Sequence, residues 1–86
     1  MTFDDVHRFL EDIGFNMKGC AIGERGMMAG EGVVVFYEDG IYKVCAVERN
    51  VCFDIEKYAT KNEASRAFLR RLSNAYGDWY DFSQLL

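Results

Sequence analysis

The side chains that could perform chemistry in this chain do not form a catalytic constellation. The single histidine, His7, lies in an acidic stretch, where a surface histidine needs no catalytic role. The cysteines Cys20, Cys45 and Cys52 have no CxxC spacing, and one histidine with three scattered cysteines does not suit a zinc site of about four ligands. No serine lies in a GxSxG sequence. We therefore expect no catalytic residues, no metal site, no cofactor and no enzymatic activity.

The glycines of "KGCAIGERGMMAGEG" raise the question of a phosphate-binding loop. Their spacing matches neither GxGxxG nor a P-loop, and no Gly-Lys-Ser/Thr follows. The net charge of −4 also argues against nucleic acid, because phosphate backbones are bound by clustered lysines and arginines. Three arginines, Arg66, Arg70 and Arg71, are interpreted as the solvated face of a helix. We expect no direct nucleic-acid partner.

Acidic side chains beside aromatic ones indicate a surface for a protein partner. Aromatic residues anchor interfaces, and charges around them steer and select an oppositely charged partner. The sequence places such residues in the glycine-rich segment, at a predicted hairpin tip and in the C-terminal "GDWYDF". The candidate binding residues are Glu24, Glu31, Glu38, Asp39, Asp78, Trp79, Tyr80 and Asp81.

The C-terminal segment is unusually apolar for the end of a chain. At ~25 cal/mol per Å² of apolar area, burying its large side chains would supply much of the ~5–10 kcal/mol that a domain of this size holds. We therefore expect Trp79, Phe82 and Leu85 to pack on the helices or the sheet. The residues left at the rim, within reach of a basic partner, would be Asp78, Tyr80 and Asp81.

Two amphipathic helices are predicted to frame these positions. Apolar residues recur every three or four positions over Phe3–Ile13, and Thr2 begins an S/T-x-x-acid capping signal. The second helix follows Thr60, which forms a capping box with Glu63, and it ends at Gly77.

Three strands lie between the helices in the predicted order. They cover Val33–Glu38, Ile41–Glu48 and Val51–Tyr58. Asp39-Gly40 is a hairpin dipeptide, because both central positions of a type I′ turn need positive φ, and Arg49-Asn50 is a second tight turn.

The glycine-rich segment and the strands around it set the expected topology. We predict a short edge strand over Phe15–Ile22, then a mobile loop through Gly32. The strand "VVVFYE" is apolar on both faces and should be central or covered on both sides. The last strand alternates, with Val51, Phe53 and Ile55 on its apolar face. The predicted fold is α+β, a small antiparallel three- to four-stranded β-meander with two amphipathic helices packed on one face.

Length and composition define the class of protein. Eighty-six residues, half of them apolar and 15% aromatic, predict one folded domain, 1–86. No apolar run approaches the ~20 residues of a membrane span, and acids occupy the N-terminal stretch where a signal peptide is basic. The odd number of cysteines indicates reduced, buried thiols. We expect a cytoplasmic protein that does not bind membranes.

The sequence "FYEDGIYKVCAVERNVCFDIEKYATKNEASRAFLRRLSNA", residues 36–75, resembles a group of small bacterial immunity proteins. The resemblance lies in a strand ending in an acidic-Gly hairpin, a DG-x-[WY]-x-V return strand, a Glu-Arg-Asn turn and a Thr-capped xEAxxxFLxxL helix. Such proteins are encoded beside toxins of polymorphic or contact-dependent growth-inhibition systems. They bind the toxin domain delivered by a sister cell and block its active site or an essential surface.

The resemblance implies a cytosolic immunity protein that neutralises a cognate toxin C-terminal domain by direct binding and occlusion. Many of these toxins are basic nucleases, so an acidic inhibitor can occupy the surface meant for nucleic acid. The alternative is a non-enzymatic structural or adaptor module that forms a homodimer through a sheet edge or the tail. A small-molecule-binding or enzymatic domain would instead show a concave pocket with convergent polar groups.

Overall fold

A computed structural model describes residues 1–23, 32–49 and 51–83. Within these ranges the chain forms two α-helices and a four-stranded sheet, which confirms the predicted α+β class. The elements are α1 (Phe3–Asp12), β1 (Cys20–Gly23), β2 (Gly32–Glu38), β3 (Ile41–Glu48), β4 (Val51–Tyr58) and α2 (Lys61–Tyr76). A 3-10 turn over Met17–Gly19 precedes β1.

Both helices begin where their capping residues predict. The Thr2 hydroxyl accepts the Asp5 N–H at 3.1 Å, and the Asp5 carboxylate accepts the Thr2 N–H at 2.9 Å. In α2, the Thr60 hydroxyl accepts the Glu63 N–H at 3.2 Å and donates to Glu63 Oε1 at 2.9 Å. The three bonds from backbone N–H groups satisfy donors that have no partner inside the helix, and the hydroxyl bond to Glu63 Oε1 orients the Thr60 cap. Neither described helix is long and apolar enough to cross a membrane.

The turn between β2 and β3 confirms the predicted hairpin. Asp39 and Gly40 have φ of 55° and 81°, the positive values that a type I′ turn requires. At the predicted turn after β3, Arg49 also has a positive φ of 51°. The other half of that dipeptide, Asn50, lies outside the described residues.

The sheet is not a strict antiparallel meander, because its first strand runs parallel to the second. The strand order is β1-β2-β3-β4, with β2, β3 and β4 antiparallel and β1 parallel to β2. The strand predicted over Phe15–Ile22 starts only at Cys20, because the 3-10 turn occupies the residues before it. Its predicted edge position is confirmed. The predicted mobile loop falls mostly on residues 24–31, outside the described ranges.

β2 is a central strand with both faces buried, as predicted. Val33 and Val35 join the core that the helices cover, while Val34 and Phe36 belong to a second buried cluster on the opposite face. Both helices pack on the first of these faces, with α2 across β2, β3 and β4 and α1 against α2 and β1. The helix side of β2 therefore holds the main core of the domain.

β4 does not bury its predicted apolar face. Val51, Phe53 and Ile55 are 61%, 45% and 47% exposed, so the prediction from their alternation is wrong. β4 lies at the outer edge of the sheet, beyond β3, and α2 contacts it less than it contacts β2 or β3. An alternating pattern shows neither whether another element covers a face of the strand nor whether a bulge changes the face on which later residues lie.

A β-bulge also interrupts the alternation of β4. Asp54 and Ile55 lie opposite the single residue Cys45, and Asp54 has a positive φ of 55°. The Arg71 guanidinium on α2 donates to the Asp54 carbonyl at 2.6 Å and to Glu56 Oε1 at 2.7 Å. Arg71 thus ties α2 to the bulge, and it is not part of a purely solvated arginine face.

Candidate functional site

The C-terminal segment turns back on the molecule directly after α2. The Gly77 N–H donates to the Ser73 carbonyl at 2.8 Å, and the N–H groups of Trp79 and Tyr80 both donate to the Tyr76 carbonyl, at 3.0 and 3.2 Å. A Cβ atom at Gly77 would collide with the Ser73 carbonyl oxygen, although the backbone there has ordinary helical angles. Glycine is therefore required at this position for steric room.

Phe82 closes the core, whereas Trp79 does not. Phe82 is only 3% exposed, and its ring centroid lies 6.2 Å from that of Phe9 and 6.1 Å from that of Phe15. Trp79 is 72% exposed. The prediction that both residues pack on the core is correct for Phe82 and wrong for Trp79, and Leu85 lies outside the described residues.

The rim of the tail is built as expected from Tyr80 and two carboxylates. Tyr80 is half-buried, with its ring centroid 5.0 Å from that of Phe15, and Asp78 and Asp81 are exposed. The Asp81 carboxylate accepts the Ser83 hydroxyl at 2.6 Å and the Ser83 N–H at 2.9 Å, and these bonds lower the pKa of Asp81. Asp81 is therefore a charged acceptor at neutral pH. We call the residues Asp78, Trp79, Tyr80 and Asp81 the tail surface.

Two grooves flank the tail surface. The first, of about 440 Å³, is lined by Trp79, Tyr80, Phe15, Asn16, Gly19 and Tyr76. The second, of about 560 Å³, also contains Trp79 and Tyr80 but carries Asp78, Asp81 and Ser83. Trp79 and Tyr80 thus form the wall between an aromatic groove and an acidic groove.

Sequence reasoning missed the floor of the aromatic groove. The rings of Phe15 and Tyr76 meet edge-to-face at 5.4 Å, and a Cβ at Gly19 would lie 3.2 Å from the Tyr76 hydroxyl oxygen. The available signal was weak. Tyr76 extends the apolar stripe of α2 into "YGDWY", and Phe15 directly follows the glycine after α1.

The acidic hairpin residues lie away from the tail surface. Glu38 pairs with Lys43 at 2.9 Å, and Asp39 is exposed in the turn. Next to this turn, Tyr42 pairs with Tyr58, so α2 begins at the same end of the sheet. The 16 residues of α2 then run ~24 Å to the tail.

The eight candidate residues therefore do not form one described face. Four of them, the tail surface, lie together, and the two hairpin acids lie near the other end of α2. Glu24 and Glu31 lie outside the described residues. Of the acidic and aromatic surface that the sequence predicts, the described residues bring together only the tail surface, at the C-terminal end of α2.

Two other reactive side chains, His7 and Cys20, make local contacts. His7 Nδ1 lies 2.8 Å from Glu11 Oε1 on the exposed face of α1. Cys20 is buried, which raises the pKa of its thiol to about 11, and its Sγ lies 4.0 Å from Met17 Sδ. Across the described ranges, histidine, cysteine and acidic side chains form no group of three that could hold a metal ion.

A scan against protein-family models, a search of curated proteins and a search of solved structures each found no match to this chain.

Proposed function

We propose that the protein is a cytosolic immunity protein that binds a cognate toxin C-terminal domain of basic, nuclease type and neutralises it by occlusion. The observation that carries the proposal is the exposure of Trp79, the only tryptophan in the chain, between Asp78 and Asp81. This role needs no catalytic residue, since an inhibitor acts by covering a surface.

Exposed tryptophan is a typical interface anchor. An aromatic side chain can bury up to ~250 Å². Burying the exposed part of Trp79 at ~25 cal/mol per Å² would contribute about 4 kcal/mol to association before the costs of binding. Tryptophan is also enriched among the residues that dominate binding energy. A partner that covers Trp79 would thus gain much of the affinity of a stable complex.

The charge of the tail surface and of the whole chain favours a basic partner. The net charge is −4, and the two carboxylates of the tail surface are exposed. An acidic inhibitor attracts a basic toxin over distances of about a Debye length, ~10 Å at 0.1 M salt, so association should slow as salt increases. The same charges would repel nucleic acid, which agrees with a partner that is itself a protein.

Co-expression tests the proposal. The toxin domain encoded beside the gene of this chain should arrest growth when it is expressed alone, and co-expression of the chain should restore growth and give a complex on a sizing column. The combined variant Trp79→Ala, Asp78→Asn, Asp81→Asn should lose both effects, whereas the control Asp39→Asn, far from the tail, should retain them. Failure of the unmodified chain to rescue or to bind would contradict the function. Full rescue by the combined variant would contradict the site.

A second candidate, a homodimeric adaptor, is favoured by the exposed edge of β4. Val51, Phe53 and Ile55 offer apolar area on the outer strand, and such an edge is a template for pairing with another strand. Sedimentation at low micromolar concentration tests whether the chain forms this homodimer. If the chain formed a tight dimer that Phe53→Lys dissociates and did not rescue growth from the toxin, the homodimeric adaptor would be favoured over the immunity protein. If the chain sedimented as a monomer, the homodimeric adaptor would be excluded.

A further inference from the structure

We infer that Trp79 divides a two-part site, which takes an arginine side chain in the acidic groove and an apolar side chain in the aromatic groove. The inference rests on the proposed function, because it names the chemistry of the partner segment at the same surface. It also specifies the sequence of the partner segment, which must place a basic residue and an apolar residue on opposite sides of the Trp79 indole. Neither the acidity of the chain nor the exposure of Trp79 would imply this alone.

The described lining of the acidic groove carries two negative charges and no positive one. Asp78 and Asp81 line it, and no lysine or arginine is among the described residues that do so. The two Ser83 bonds hold the Asp81 side chain in place and favour its charged form. A cation that enters this groove meets two carboxylates and one face of an aromatic wall.

Arginine suits this groove better than lysine. Its planar guanidinium can stack on an aromatic ring and donate to a carboxylate with its N–H fork at the same time. Asp78 and Asp81 flank Trp79 in the chain, and both line the groove beside it. A lysine ammonium is more strongly hydrated and has no flat face to stack, so it would gain less here.

The aromatic groove offers the opposite environment on the far side of Trp79. No charged residue is among the described residues that line it, and its base is Phe15, which is buried under Tyr76 and Tyr80. Its volume of about 440 Å³ falls in the range of pockets that hold small ligands, and it is ample for one large apolar side chain. An apolar residue placed there would complete the burial of the exposed indole.

An extended partner segment can reach both grooves. Residues two apart on a strand point to the same side and lie ~6.6 Å from each other, a separation that can straddle one ring. The structure thus points to an apolar-x-Arg pattern in the partner. A second copy of this chain is a poor occupant, because two tail surfaces in contact would bring four carboxylates together.

Titration of the full chain with blocked tripeptides tests the two-part site. The indole N–H of Trp79 gives one signal of its kind in an NMR spectrum, because the chain has a single tryptophan. The probes are acetyl-Leu-Gly-Arg-amide, its citrulline analogue, which has the same shape without the charge, and acetyl-Gly-Gly-Arg-amide. We expect the first peptide to shift the indole signal and to bind about fivefold more tightly than either control at low salt.

The charge contribution is isolated by salt and by substitution. The preference for arginine over citrulline should shrink at high salt and disappear in the variant Asp78→Asn, Asp81→Asn, while the preference for leucine over glycine should persist. Equal binding of the arginine and citrulline peptides would overturn the acidic half of the site. Equal binding of the leucine and glycine peptides would overturn the aromatic half, and no shift at the solubility limit would overturn both.

The outcome can be separated from the outcome for the proposed function. Toxin rescue by the unmodified chain without any peptide preference would keep the immunity role and overturn the two-part site. A clear arginine preference without rescue would support the two-part site and overturn the immunity role.

Discussion

Replacing Phe82 with alanine should destabilise the domain far more than replacing Trp79, although both lie in the same short tail. Phe82 is almost fully buried against Phe9 and Phe15, so the alanine variant loses the buried area of a whole ring and leaves a cavity. Such a change typically costs about 3–5 kcal/mol. A domain of 86 residues holds roughly 4–13 kcal/mol in total, so this loss would be a large share of its stability.

For Trp79 the corresponding estimate is much smaller. Only a little over a quarter of this residue is buried, which corresponds to ~70 Å² and at most about 1.8 kcal/mol. Because compact unfolded chains already bury part of such area, the true value should lie below this bound. The structure thus predicts a ratio of about two or more between the two effects.

Urea unfolding followed by far-UV circular dichroism measures both effects on one scale. The milder variant Phe82→Leu keeps most of the buried volume and should lie between Phe82→Ala and the unmodified chain, which protects the comparison if the alanine variant does not fold. Unchanged slopes against urea would show that the unfolded states are comparable. If Trp79→Ala and Phe82→Ala had equal costs, the division of the tail into a buried and an exposed part would be refuted.

Three further substitutions or reactions probe other parts of the structure. Thr60→Ala should lose about 1 kcal/mol of stability through the lost cap of α2, while Thr60→Ser should not, as read by urea unfolding. The bond from Arg71 lowers the pKa of Glu56, so the stability of the unmodified chain should fall more steeply than that of Glu56→Gln as the pH drops from about 5. Cys52, which is half-buried, should react with a thiol reagent before the buried Cys20, whose thiol pKa is about 11.

Each of these three predictions would be contradicted by a specific result. An unchanged midpoint in Thr60→Ala would exclude a capping role for its hydroxyl. The stabilisation from Glu56 exists above the pKa that this carboxyl has in the unfolded chain, and it is lost as the pH falls through its lower pKa in the folded chain. If stability fell with pH equally in the unmodified chain and in Glu56→Gln, the lowered pKa of Glu56 would not contribute to stability. Equal thiol rates, compared in Cys20→Ser and Cys52→Ser, would contradict the difference in burial.

Elements with local signals could be predicted from the sequence. The two threonine caps mark where both helices begin, and Asp39-Gly40 marks a hairpin whose positive φ values the structure shows. These features depend on hydrogen bonds and backbone angles within a few residues, so the sequence alone carries them. The burial of both faces of β2 was also predictable, because its apolar run leaves no polar face.

Features that depend on distant parts of the chain could not be predicted. Whether β1 runs parallel or antiparallel to β2 leaves no trace in a four-residue strand. The exposure of Val51 and Phe53 depends on how far the helices extend over the sheet and on a bulge that alternation does not reveal. By hydrophobicity alone, either Trp79 or Phe82 could be the buried residue of the tail. The turn after Gly77 buries Phe82 and leaves Trp79 exposed.

Only part of the candidate site could be predicted, because its remaining residues come together through contacts between distant segments. Trp79 and its flanking carboxylates stand out as a local sequence feature, so they could be proposed as a partner surface. The aromatic floor, with Phe15 from the segment after α1 and Tyr76 from the end of α2, forms only when that segment packs against α2. A pattern confined to one segment could not reveal it.

The affinity of the toxin domain for the unmodified chain and for the variant Trp79→Ala, Asp78→Asn, Asp81→Asn, measured by calorimetry at low salt, tests the central claim most directly. Loss of a dominant anchor of 2 kcal/mol or more corresponds to a weakening of about 30-fold or greater, and this is the result expected. The far-UV circular dichroism of the variant should stay close to that of the unmodified chain, and its melting temperature should fall far less than that of Phe82→Ala, because the three substituted residues are exposed. An affinity that changes by less than about twofold in a folded variant would show that the toxin binds elsewhere.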